Sequence, residues 1–296
     1  MSAIVVEGLR KSYGALEAVR GVSFSVEEGE VFGLLGPNGA GKTTIIEILE
    51  GYRSRDGGTA TVLGIDPHVG GRKLRERVGL VLQEAAVPAY LSVTELVEMY
   101  RGYYPAPRPA AEIIELVGLT EKAHERARRL SGGQQRRLDV ALGLIGDPDL
   151  VFLDEPTTGF DPSARRAAWE VVRNLRTLGK TIVLTTHYMD EAQYLADRIC
   201  VIALGQVVAE GTPESLRAGT DQMTHIRFAM PDGMDAAMLP IKAKALDGQA
   251  VIETQTPTRT LNELTTWAVA RGLELSNLEV ARPSLEDVYL ELTNHE

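Results

Sequence analysis

The sequence predicts an α/β fold built on a mainly parallel sheet with helices on both faces. Two observations carry this. Short apolar runs of strand length recur along the chain: VFGLL (31–35), LVFLD (150–154) and TIVLTTH (181–187). Stretches of helical spacing separate them. Runs that are apolar throughout, rather than alternating, belong to strands buried on both faces, as in a parallel sheet.

Taken in order, IVVEGL (4–9) and VSFSV (22–26) predict strands, the second alternating as half-buried strands do. VFGLL follows, and GPNGAGKTTIIEILEGY then changes to helical spacing. RVGLVLQ (77–83) predicts another short strand. From Glu84 to about Leu130 the signals are mostly helical, SVTELVEMYRGYY and AAEIIELVGL being divided by the proline-rich PAPRP. A helical subdomain over about 84–145 is therefore expected inside the α/β core. Beyond LVFLD, Asp161-Pro162 is an N-cap followed by proline at the first helical position, and Gly179 is a helix stop. A domain boundary is expected near residue 218, in the polar passage EGTPESLRAGTDQ, giving a main domain over 1–217 and an accessory domain over 218–296. The second is a small α+β unit: HIRFAM and AVIETQ as strands, Leu261 to Arg271 as a helix, LELSNLEV as a strand. Ser284 to Asp287 is a capping box that opens a last helix with Leu285, Val288, Tyr289 and Leu292 on one stripe.

Composition narrows the partners. The longest apolar run, Ile199 to Leu204, is far short of the roughly 18–20 residues of a membrane helix. The opening MSAIVVEGLRKSY lacks signal-peptide anatomy, so a cytosolic polypeptide is expected. The single Cys200 excludes an internal disulfide and a cysteine-rich metal site; among its apolar neighbours it reads as a small buried residue of a strand. A formal charge of −10 speaks against nucleic acid as a partner, because that binding rests on a basic surface.

The segment Gly36-Pro37-Asn38-Gly39-Ala40-Gly41-Lys42-Thr43 fits G-x-x-x-x-G-K-[ST], with a strand before it and a helix after it. Gly36, Gly39 and Gly41 let the backbone wrap a triphosphate closely, and the helix start adds a partial positive charge. Lys42 is expected on the β- and γ-phosphates and Thr43 on Mg²⁺, with Asn38 and Thr44 completing the contacts to ATP. LVFLDE ends in two carboxylates at a strand exit, where ligands of open α/β sheets bind. Asp154 is expected at Mg²⁺, and Glu155 is placed to orient or deprotonate the attacking water.

Ser131-Gly132-Gly133-Gln134 at a helix start offers a second phosphate cradle: a hydroxyl, two unobstructed amides and a helix dipole. One nucleotide does not need two cradles in one chain. Taken alone these four residues also fit a plain helix-cap turn; as a cradle, the economical solution is that they close on ATP held by another copy, in a head-to-tail homodimer.

Together GPNGAGKTT, LSGGQ and VFLDEP, in this order and spacing, resemble the nucleotide-binding domain of ATP-binding cassette (ABC) proteins over residues 1 to about 217. The resemblance implies a P-loop NTPase core of RecA-like type, with a β-subdomain and a helical subdomain. It implies that Tyr13 stacks on adenine, that Gln83 senses Mg²⁺ and the attacking water, that Asp161 lies in a loop crossing to the other subunit, and that His187 contacts the γ-phosphate. Phe160 stands where leucine is commoner in the family. The ending RPSLEDVYLELT is similar to the tail of ATPase subunits of ABC-2-type exporters, the daunorubicin-resistance group among them. That implies a Mg²⁺-dependent ATPase at the cytoplasmic face of the membrane, held there by a separate ABC-2-type transmembrane permease. A soluble ABC ATPase working on a nucleic-acid or protein machine is the alternative, and a P-loop kinase is a third reading.

Overall fold

A computed structural model describes residues 1–81, 87–219, 224–231, 234–246 and 248–281. The chain divides into two compact units, Met1–Pro213 and Glu214–Glu296. In the first, the main sheet runs in the order β5 (Val78–Val81), β6 (Leu150–Asp154), β7 (Thr181–Thr186), β3 (Val31–Leu35), β8 (Arg198–Ala203) and β9 (Gln206–Gly211). All pairings are parallel except that of β8 with β9. Every residue of β3, β6 and β7 is buried, which is why these strands are apolar without alternation. Cys200 is buried on β8, and burial pushes its thiol pKa up.

The pairing register positions the site. Leu35 lies opposite Thr186, and Asp154 lies opposite Thr185. The carboxyl ends of β3, β7 and β6 therefore form one edge, carrying the glycine-rich loop, Thr186-His187 and Asp154-Glu155 side by side. Helix α1 (Lys42–Leu49) follows the loop and buries Ile45, Ile46, Ile48 and Leu49. A second, antiparallel sheet of β2 (Leu16–Glu27), β1 (Ser2–Tyr13) and β4 (Gly57–Val62) shares this core through Ile4, Leu9, Val19 and Val22. Its β1–β2 turn places Tyr13 beside α1. After α2 (Pro67–Arg75), the helices α3 (Val93–Arg101), α4 (Ala110–Leu116) and α5 (Gly132–Leu144) pack through Val93, Leu96, Ile113 and Leu138 into a core shared with Leu153 and Leu184. Helix α6 (Pro162–Thr177) joins β6 to β7, and α7 (Met189–Leu195) joins β7 to β8.

The chain around the predicted boundary includes α8 (Pro213–Gly219), so the polar passage there is partly helical, Pro213 and Glu214 supplying a first turn. In the second unit the antiparallel order is β11 (Lys244–Leu246), β12 (Gln249–Thr254), β10 (Thr224–Ala229) and β13 (Glu279–Ala281). Helix α9 (Pro257–Ala270) adds Leu264 to a core of Ile226, Phe228, Ala250 and Ile252. It starts four residues before Leu261, because its first turn, Pro257-Thr258-Arg259-Thr260, has proline at the start but no large apolar residue to mark it. LELSNLEV is a strand only at its end: Asn277 takes a left-handed φ of 57°, which breaks an extended run. Gln83 and the capping box at Ser284 lie outside the described residues.

Candidate active site

The glycine-rich loop is shaped by close backbone approach. A Cβ on Gly36 would stand 2.3 Å from the Ile202 carbonyl oxygen, and one on Gly41 2.5 Å from that of Ala18. Gly41 also has φ 104°, a conformation that side-chain-bearing residues rarely adopt. Glycine is therefore required at both positions, and the amide row that opens α1 is laid bare. Lys42 is buried, its Nζ donating to the carbonyls of Gly36 at 2.8 Å and Pro37 at 3.1 Å. Burial lowers the Lys42 pKa, and the charges of Glu155 and Asp154 oppose this.

Glu155 Oε1 stands 3.8 Å from Lys42 Nζ and 3.3 Å from His187 Nδ1, while Thr158 donates to Oε2 at 3.0 Å. Asp154, also buried, accepts from the Thr185 hydroxyl. Burial raises the Asp154 pKa, the Thr185 hydrogen bond offsets this, and the neighbouring Glu155 charge adds to the rise. Two adjacent carboxylates with hydroxyl neighbours form an oxygen donor set of the kind Mg²⁺ takes, together with substrate phosphates. Tyr13 borders the same cleft of about 360 Å³, lined also by Asn38, Gly39, Gly41, Thr43 and Thr44. Its hydroxyl lies 3.4 Å from Thr44 Oγ1, and the Arg53 guanidinium carbon lies 5.1 Å from its ring centre.

The remaining predicted residues gather elsewhere. Ser131, Gly132, Gly133, Gln134 and Asp161 line a different cleft of about 530 Å³, with Thr158 to Phe160. Ser131 caps α5 in a reciprocal box: its Oγ accepts from the Gln134 amide, and Gln134 Oε1 accepts from the Ser131 amide. The serine hydroxyl acts here as acceptor, which leaves its own proton to donate outward. Asp161 caps α6 by accepting from the amides of Ser163 and Ala164. A Cβ on Gly133 would meet that of Ala164 at 3.2 Å, so glycine lets the two helix starts approach. The structure thus brings Tyr13, Asn38, Gly39, Gly41 to Thr44 and Glu155 around one cleft, with His187 against Glu155 and Asp154 buried next to Glu155 in the chain. It gathers the SGGQ residues with Asp161 at another.

Comparison with known proteins agrees with this arrangement. Residues 19–158 match the ABC transporter family, and residues 224–284 match the C-terminal domain of ABC transporter domain-containing proteins. The daunorubicin resistance ATP-binding protein DrrA2 of Streptomyces coeruleorubidus is 38% identical, the alignment covering 99% of this chain and 95% of that one. The chain belongs to the ABC transporter family. Within it, it is an ATP-binding, ATP-hydrolysing subunit. The Nod factor export ATP-binding protein I of Ralstonia nicotianae is 39% identical over 98% of this chain and 94% of its own length. A dimeric post-hydrolysis state of an ATP-binding cassette bound to ADP and Pi aligns with TM-score 0.64 and 25% identity, covering 71% of this chain and 98% of that one. The expected resemblance to exporter ATPases, and the P-loop NTPase fold, are met.

Two residues of this ABC ATPase site escaped the sequence reading. Thr185 touches both carboxylate residues: it donates to Asp154 and accepts from the Glu155 amide at 3.0 Å. Its signal is a threonine at the end of an apolar strand, but only the register shows what it faces. Arg136, on α5, donates to the carbonyls of Asp154 and Pro156. It stands in a QQRR run that reads as a solvated helix face.

Proposed function

We propose that this chain powers export through a separate ABC-2-type permease, by ATP-driven closure of a head-to-tail homodimer. The observation that supports it is the division of the predicted site between two clefts. Lys42 and Glu155, with His187 against Glu155, gather at one, and Ser131 to Gln134 with Asp161 at the other. One triphosphate is completed when the second cleft of one copy faces the first cleft of its partner. Lys42 and the amides of Gly39, Gly41 and Thr43 hold the phosphates, and Tyr13 stacks on adenine. Thr43 and Asp154, with Gln83, would hold Mg²⁺, which would neutralise phosphate charge. Glu155 orients the attacking water and takes its proton, and His187 holds the γ-phosphate side of the pocket. Ser131 donates to the partner's nucleotide from the mouth of α5. Hydrolysis removes the shared ligand and lets the dimer reopen, which resets the permease.

In this reading residues 1–217 are the motor, residues 218–296 are an accessory domain, and the cargo is chosen by the membrane subunit. No helix among the described residues is long and apolar enough to cross a membrane, so attachment to the cytoplasmic face falls to that subunit. The relatives named for drug resistance and Nod factor export support the outward direction. Co-expression with the polytopic protein of a neighbouring reading frame tests it. The chain should move to the membrane fraction and co-purify with that protein after detergent extraction. A chain that stays unattached and co-purifies with ribosomes or another soluble assembly would contradict the proposal.

A further inference from the structure

Glu155 has a left-handed backbone, φ 45°, a conformation that side-chain-bearing residues other than Asn and Asp rarely adopt. Such a conformation persists only where surrounding contacts over-determine it. Here contacts come from two elements. From β7, Thr185 accepts the Glu155 amide through both its carbonyl at 3.2 Å and its hydroxyl at 3.0 Å. From α5, Arg136 donates Nη2 to the Asp154 carbonyl at 2.9 Å and Nε to the Pro156 carbonyl at 3.2 Å. Those carbonyls flank Glu155 on either side. Arg136 is buried, 7% exposed, with Asp139 at 4.0 Å as its ion-pair neighbour. A planar guanidinium can address two carbonyls at fixed angles, which a lysine ammonium cannot copy. Arg136 also lies five residues beyond Ser131 on the same helix, roughly 7 Å along its axis.

We propose that Arg136 is a positioning residue for Glu155: its guanidinium fixes the left-handed turn that aims the carboxylate, and ties that turn to the helix that closes on the partner's nucleotide. The inference rests on Glu155 being the base and on Ser131 acting across the dimer. A shift of α5 as Ser131 engages the partner's phosphate is then passed to the Asp154 and Pro156 carbonyls. Each chain's own base is aligned only when that chain grips its neighbour's ATP.

The test uses the full chain with Arg136→Met, Arg136→Lys and Glu155→Gln, measuring kcat, the KM for ATP, ATP-dependent dimerisation and thermal unfolding. Arg136→Met should lower kcat by roughly tenfold or more, as loss of a transition-state alignment does, while KM stays within about twofold. It should still dimerise with ATP. Arg136→Lys, with one charged donor in place of the fork, should fall between Arg136→Met and the unchanged protein. A folded Arg136→Met, or, if that chain does not fold, a folded Arg136→Lys, with unchanged kcat overturns the proposal. So does a fall in kcat that comes with a rise in KM and loss of ATP-dependent dimerisation, since that marks general support of the fold. Glu155→Gln separates the inference from the reading beneath it. If Glu155→Gln is inactive and the Arg136 variants are normal, only the role of Arg136 fails. If Glu155→Gln turns over normally, the base assignment fails and takes the positioning role with it.

Discussion

Tyr13 stands at the mouth of the nucleotide cleft, 39% exposed, with the Arg53 guanidinium carbon 5.1 Å from its ring centre. If it stacks on adenine, truncation forfeits about 1–3 kcal/mol, or roughly a 5- to 150-fold weaker hold on ATP. Tyr13→Ala should therefore raise the KM for ATP by that order and change kcat much less, while Tyr13→Trp keeps KM near its starting value. Steady-state hydrolysis kinetics decide it, and an unchanged KM in Tyr13→Ala removes the assignment. Single residues were legible in the sequence where chemistry dictates residue type at fixed spacing, as with Gly36, Gly41 and Lys42. Thr185 and Arg136 were not, because each acts through a partner that is distant along the chain. Asp154 and Thr185 meet only through the register of β6 and β7, and Arg136 reaches Asp154 and Pro156 only because α5 lies against that edge.

At the scale of elements, the apolar strands read almost to the residue: VFGLL and LVFLD coincide with β3 and β6. Full burial explains this, since every position must be apolar until the chain reaches the site. Strand β4 and helix α2 leave little signal in the sequence because neither displays a continuous face. GGTATV alternates weakly, and α2 turns at Gly71, φ 49°, inside a polar run. Helix α5 carries a testable burden besides its cap. The carboxyl of Asp139 is half-buried, and burial pushes its pKa from 3.8 up to about 6, with Arg136 pulling the other way. Because the folded-state value is the higher one, the native protein binds more protons than the unfolded chain between those values. The stability that Asp139 contributes is thus full below pH 3.8 and lost as pH rises through about 6. Asp139→Asn does not titrate. Its stability relative to the unchanged protein should climb over that window, by no more than about 1.4 kcal/mol per pH unit, and level off above it. Urea unfolding across the window measures this; a difference that does not vary with pH contradicts it.

At the scale of the molecule, every nucleotide motif precedes the second compact unit, Glu214–Glu296. A chain ending at residue 217 should still bind ATP with a Kd within about threefold of the full protein, measured by equilibrium titration. A folded truncation that binds no nucleotide would place part of the site in the second unit. In the proposed mechanism two copies share each ATP, because the two halves of the site lie at different clefts of one chain. Size-exclusion chromatography of Glu155→Gln and Lys42→Ala with Mg²⁺-ATP tests it most directly. Glu155→Gln keeps size and hydrogen bonding but loses the basicity, so turnover should drop by roughly 10²–10⁴ while ATP stays bound. That variant should accumulate as an ATP-bound dimer, whereas Lys42→Ala, which cannot hold the phosphates, stays monomeric under the same conditions. A Glu155→Gln chain that binds ATP, fails to hydrolyse it and remains a monomer would contradict the shared site.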